Sequence, residues 1–264
     1  MKRWMTAAMA AMLALGMAAP AHAQFGAGEA SAVREDFVLP QGEVRILVFR
    51  PEIRVGAQTM GGMHEPNAEW TETAKGNIMA ALEAEQAARG TSLVIVPELD
   101  GEQGELVADY TALFQTVAGE AFQHKLFPGN RLPSKRHDFD WTLGAETEQL
   151  RALGGDYGLF LVTNDSYGST GRKVLQVLGA VAGVGLVPSG VHMGYAGLVD
   201  LRTGHLVWLN GDLQMGGDVR TAEGAQKRVA QLLEEFPLRA TGQPAPERAR
   251  EVTVTGETPA EPKP

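Results

Sequence analysis

The sequence predicts an α/β domain: a two-layer sandwich in which a mixed sheet carries packed helices, with a terminal β-hairpin followed by a helix. Three observations predict it. Short apolar runs (VRILVF at 44–49, SLVIV at 92–96, YGLFLVT at 157–163) alternate with helical patterns, and such interspersed elements form a sheet with helices on it. LVDLR (198–202) and HLVWL (205–209) flank Thr203-Gly204, where glycine takes at low cost the positive φ that a tight hairpin asks for. Beyond them, Ala225, Val229, Leu232 and Leu233 mark the inward face of a helix over 221–235.

Each element carries its own signal. VRILVF is a compact apolar run of the kind a buried strand needs, and Pro51 with the glycines beyond it leads into a long loop. A helix follows over 69–89, with Ala74, Ile78, Ala81, Leu82 and Glu85 on a mostly small inner face and Gly90 as its stop. SLVIV is closed by Pro97. Leu106, Tyr110, Leu113, Val117 and Ala121 recur at helical spacing and define a helix over 105–123. Residues 126–143 mix Pro, Gly, basic and aromatic residues and give no clear element. A short helix over 145–153 leads into the central strand at 157–163. In the hairpin Leu198, Asp200 and Arg202 alternate with Val199 and Leu201, giving one mixed and one apolar face. Thr221 and Gly224 do not complete a capping box.

The ends differ from the middle. Lys2 and Arg3, an apolar run from Thr6 to Ala19 and Ala21-His22-Ala23 have the order of a secretory signal cleaved after Ala23. The expected organisation is a signal at 1–23, a flexible segment at 24–42, one domain at 43–236 and a disordered Pro/Glu/Thr-rich tail at 237–264. The expected location is the periplasm. No cysteine is present, which excludes disulfides, thiolate ligands, a cysteine nucleophile and a lipidated N-terminal cysteine. Without Lys2 and Arg3 the 23 basic residues become 21 against 32 acidic ones, a formal charge of -11. That balance offers no general attraction to nucleic acid or anionic lipid, and leaves only a local patch open to either.

Four groups of residues invite a chemical reading. Asp200 has the residue type of a catalytic carboxylate, but turn-flanking Asp commonly satisfies nearby backbone or pairs with a neighbour, here Arg202; Trp208 then packs on the sheet. NDSYGSTGRK (164–173) follows a strand and precedes a helix, where backbone N–H groups can receive an anion, with Ser166, Ser169, Thr170 and Lys173 as contacts. Gly171 is followed by Arg172 and then by Val174 two residues on, so the pattern is not a Walker loop. Met60, Met63 and His64 in one Gly-bearing loop and His192 with Met193 in another carry thioether and imidazole donors suited to copper(I), against an ordinary packing role for methionine. His137, Asp138 and Asp140 form a weaker polar group. Gly179, Gly183 and Gly185 punctuate the apolar stretch 173–191, which reads as a buried helix, a subunit contact or a membrane-touching insertion. No residue set adds up to a catalytic, cofactor or metal site.

In order and detail the elements resemble the domain shared by the TolB amino-terminal region, the curli-export lipoprotein CsgG and related envelope lipoproteins. The resemblance covers roughly 43–236. It is carried by Gly155-Asp156-Tyr157 at the strand start and by Asp200, Thr203, Gly204, Val207 and Trp208 in the hairpin. It implies non-enzymatic work as an export pore or an assembly adaptor. The chain departs from that group in lacking a lipidation cysteine and two long alternating hairpins of the kind that build a pore. The expected function is therefore that of a non-enzymatic periplasmic accessory or assembly protein, within a secretion or transport system, acting by self-association or through envelope protein partners. Membrane contact, without a lipid anchor, falls to residues 174–191. The alternatives are a small-ligand or copper-binding periplasmic protein using the Met/His loops, and a hydrolase in which Asp200, Ser166 or His192 meet in one cleft.

Overall fold

The computed structural model describes residues 29–35, 37–40, 44–89, 93–126, 130–135, 139–181 and 190–237. The expected signal (1–23), the tail beyond 237, His137, Asp138, Gly183 and Gly185 lie outside them. The strands are β1 (Glu29–Val33), β2 (Ile46–Val48), β3 (Glu52–Gln58), β4 (His64–Pro66), β5 (Leu93–Ile95), β6 (Trp141–Thr142), β7 (Tyr157–Gly168), β8 (Gly190–Asp200) and β9 (His205–Asp212). The helices are α1 (Ala68–Arg89), α2 (Gly101–Leu126), α3 (Thr170–Val181) and α4 (Ala222–Leu232), with a 3-10 helix at Ala145–Leu153.

These nine strands join one mixed sheet, in the order β1-β9-β8-β7-β2-β5 with β3 also on β7, β4 on β3 and β6 on β9. Along β2 and the residue that follows it, Ile46 and Val48 face one core cluster while Leu47 and Phe49 face the other. Burial on both sides is why VRILVF is apolar without alternation. Ala74, Ile78, Ala81 and Leu82 of α1 and Ala225, Val229 and Leu232 of α4 fill the first cluster. Tyr110, Phe114, Ala118 and Phe122 of α2 fill the second. The α/β class, the mixed sheet, the terminal hairpin and its following helix are as expected. The helices divide between both faces, which adds a third layer to the expected two.

Some elements differ from expectation for identifiable reasons. The segment 24–42, expected to be flexible, supplies β1, which pairs antiparallel with β9 from Glu29 opposite Asp212 to Val33 opposite Trp208. Its small residues give little apolar signal, and its order comes from the ladder. In α2 the inner face centres on Phe114, fully buried and stacked on Phe160 at 4.9 Å, whereas Leu113 is exposed. The expected face is thus rotated by one residue. Gly197 makes room for this contact, because a Cβ there would lie 2.5 Å from the Phe114 ring.

β2 and β3 run one after the other along β7. Val48 pairs with Leu159 and Glu52 with Val162, so three residues (49–51) stand against two (160–161). Pro51 sits at this bulge, where a missing N–H is tolerated. The chain leaves β2 through α1 to β5 over one face, and leaves β5 through α2 to β7 over the other. Open α/β sheets hold ligands at such a switch, beyond the carboxyl ends of the diverging strands. Here β3 continues from β2 and pairs with β7 as far as Gly168, so the chain itself fills that crevice.

Candidate functional site

Along β7 the odd-numbered residues face α1 and α4. Tyr157, Leu159 and Leu161 are core, and Thr163, Asp165 and Tyr167 continue the row by strand alternation. α4 is capped by Thr221, whose hydroxyl accepts from the Gly224 N–H at 3.1 Å. Its buried stripe of Ala225, Val229 and Leu232 also contains Arg228, fully buried like Asp165.

Arg228 uses all five of its N–H groups. Nε donates to Gly216 O (3.1 Å), Nη1 to Asp165 Oδ2 (2.7 Å) and to Thr163 Oγ1, and Nη2 to Asp165 Oδ1 (2.9 Å) and Gly217 O (3.2 Å). Asp165 is filled in turn: Thr163 Oγ1 donates to Oδ2 at 2.9 Å and His192 Nδ1 to Oδ1 at 2.8 Å. Burial alone would raise the Asp165 carboxyl. The hydrogen bonds from His192 and Arg228, the Arg228 charge and the Thr163 hydroxyl outweigh it and hold the carboxyl below its ordinary range.

A second layer of rings and charges covers this pair. The Tyr167 ring lies 4.7 Å from that of His192, and its hydroxyl accepts from the Val219 N–H at 3.1 Å. Burial, and then the Asp165 charge, push the Tyr167 phenol up. Arg220 stacks on Tyr167 (3.7 Å) and on Trp70 (4.5 Å), a geometry that favours a cation. It also grips Asp218 through Nε (2.9 Å) and Nη2 (2.6 Å). The Arg220 hydrogen bond is the main reason the Asp218 carboxyl falls to about 2.

The candidates from sequence do not converge. Asp200 Oδ1 accepts from the N–H groups of Arg202 (2.8 Å) and Thr203 (3.3 Å), which makes it the hairpin's turn carboxylate. Trp208 is fully buried against Phe236. NDSYG belongs to β7 rather than to a loop. Ser169 Oγ accepts from the Arg172 N–H at 3.3 Å, the cap of α3. Ser166 points to the α2 face, where its hydroxyl meets His64 Nδ1 at 3.2 Å. His192, opposite Asp165, points to the α4 face. His64 and His192 thus lie on opposite sides of the sheet, and the five Met/His donors of the copper reading are not gathered. Among the described residues no group of three or more His, Asp or Glu is placed to hold a metal. Asp200, Ser166 and His192 do not meet in one cleft either: Asp200 is eight residues along β8 from His192, about 26 Å, and Ser166 points to the opposite face. Asp140 contacts Lys135 (3.5 Å) and His205 (3.8 Å).

Asp165 and Arg228 were not singled out by sequence reasoning. Their signal was present: opposite charges on positions whose neighbours at strand and helix spacing are apolar and inward. An open cleft of about 600 Å³ also lies where β2 ends, lined by Arg50, Glu52, Arg54, Glu72, Lys75 and Glu98. Its walls pair among themselves, Arg50 with Glu98 and Lys75 with Glu72 at 2.7 Å.

No family model and no curated protein matches the chain. Among solved structures it is similar to the PelC dodecamer from Paraburkholderia phytofirmans, at 13% identity over 80% of this chain and 96% of that one, with a TM-score of 0.35. A point variant of the same PelC aligns at 12% identity over 80% and 98%, also with a TM-score of 0.35.

Proposed function

We propose that this chain is a non-enzymatic accessory or assembly protein of the bacterial cell envelope, exported to the periplasm and working through contacts with copies of itself or with envelope proteins. The observation that carries the reading is the saturation of the Asp165–Arg228 cluster. It is a fully buried ion pair, and the five N–H groups of Arg228 and both oxygens of Asp165 are spent on protein partners. Such a cluster fastens α4 to the sheet and leaves no carboxylate lone pair for chemistry. β3, lying in the switch crevice, supports the same reading, as do the signal-like start and the hairpin motif.

The test is light scattering during size exclusion on the exported, purified chain, with His192→Ala alongside. The expected result is a defined mass above the monomer that His192→Ala preserves. A monomer at every concentration, with no envelope protein recovered by cross-linking in cells, would overturn the reading. So would a hydrolytic activity that His192→Ala abolishes.

A further inference from the structure

We propose that the face formed by Met60, Met63, Val174, Leu178 and Val191 rests on the surface of an anionic phospholipid bilayer without crossing it. A membrane partner presupposes the envelope location argued above, but the residues are separate from the Asp165–Arg228 cluster.

The face is apolar and exposed. Met60, Met63, Val174, Leu178 and Val191 are 57%, 72%, 53%, 59% and 44% exposed. Val174 and Leu178, four residues apart, share one side of α3 with Gly171. A Cβ on Gly171 would lie 2.8 Å from Met60 Cγ, so the methionine loop abuts that side of the helix. Arg172 Nη1 reaches the Thr59 and Met60 carbonyls at 3.5 Å and ties loop to helix. Val191 stands opposite Ser166, whose hydroxyl meets His64 beside Met63. The loop and the start of β8 therefore meet on one face of the sheet.

Charge decides the occupant. The chain carries 32 Asp and Glu, yet none occurs between Asp165 and Asp200, and none from Ile53 to His64. Glu65, next in sequence, alternates to the side opposite His64. Lys173 is exposed beside Val174. An apolar helix face bordered by a lysine, on a segment without acids, follows the pattern of helices that lie in the headgroup region. A two-fold contact between copies would set these acid-free segments against themselves and offer Lys173 no counter-charge from them; phosphate headgroups supply the missing anions. Among the described residues no helix is long and apolar enough to cross a membrane, so the contact is interfacial.

The experiment is flotation of the exported full chain with vesicles of phosphatidylethanolamine and phosphatidylglycerol, and with vesicles of phosphatidylcholine alone. The chain is expected to float with the first, less with the second, and less again as salt rises. Val174→Asp with Leu178→Asp should cut the bound fraction about tenfold with unchanged circular dichroism, since both side chains are exposed. Lys173→Glu should cut it several-fold on the anionic vesicles alone. Leu113→Asp, exposed on α2, should leave binding intact. Absence of flotation with either vesicle overturns the proposal, as does equal loss with Leu113→Asp. If the wild type does not float and the Val174/Leu178 variant splits an oligomer, the face is a subunit interface: the lipid contact falls and the accessory reading stands. A chain that floats but never associates with itself or an envelope protein separates the two the other way.

Discussion

Asp165 and Asp200 stand at opposite ends of the paired strands β7 and β8, one facing His192 and the other Tyr157 across the ladder. Asp200 sits at a hairpin corner, keeps part of its surface in water and accepts from two backbone N–H groups of its own turn. Asp165 has no surface and takes its bonds from three side chains, Thr163, His192 and Arg228, the last arriving from a helix 63 residues on. The corner carboxylate replaces water with local partners and asks little of the rest of the fold. The buried one loses all of its water, so it is tolerable only if a distant guanidinium arrives in register. One Asp therefore closes a turn, and the other makes the docking of α4 conditional on charge.

The sharpest way to break that contrast is Arg228→Met. It should cost about 3–5 kcal/mol by leaving the Asp165 carboxylate buried without its counter-charge, read as a drop in the urea midpoint. Asp165→Leu combined with Arg228→Met should recover most of the loss, because removing both charges also removes the desolvation cost. If the double variant is no more stable than Arg228→Met alone, the pair does not act as a unit.

The same contrast explains what could be read from the sequence. Asp200 was legible because its partners are two and three residues away and the flanking alternation of LVDLR and HLVWL fixes the hairpin locally. The strands VRILVF, SLVIV and YGLFLVT and helix α1 were legible for the same local reason. Asp165 was hidden, since its meaning depends on Arg228 and His192, which sequence spacing does not connect. β3 and β4 were hidden too: EIRVGAQ begins after a proline and includes a glycine, and it becomes a strand by pairing with β7. The copper reading required two distant loops to converge, and the pleat sends His64 and His192 to opposite faces.

Acid should sharpen the comparison next. The Asp165 and Asp218 carboxyls titrate below their ordinary value near 3.8, Asp218 at about 2. Groups depressed by folding add stability that is fully present above the unfolded value and lost as pH falls through the folded one. The urea midpoint should therefore hold down to about pH 4 and fall between there and about pH 2. Asp218→Asn should flatten part of that fall while lowering the plateau above it. A midpoint that rises on acidification would mean that these carboxylates are not stabilised by folding.

The smallest effect belongs to the corner. Asp200→Ala removes two hydrogen bonds to backbone N–H groups that water can replace, so it should cost about 1 kcal/mol. Asp200→Asn should cost less, because the amide oxygen still accepts from Arg202 and Thr203. Gly204 allows an internal control in the same turn. Its φ is +75°, and a Cβ there would lie 2.0 Å from the Gly144 carbonyl oxygen, so Gly204→Ala should be markedly worse than Asp200→Ala. The ranking Gly204→Ala, Asp200→Ala, Asp200→Asn, measured by thermal unfolding, separates backbone geometry from carboxylate charge. If Asp200→Asn proved as damaging as Arg228→Met, the charge of Asp200 would matter as that of Asp165 does, and the two ends of β7 and β8 would no longer differ in kind.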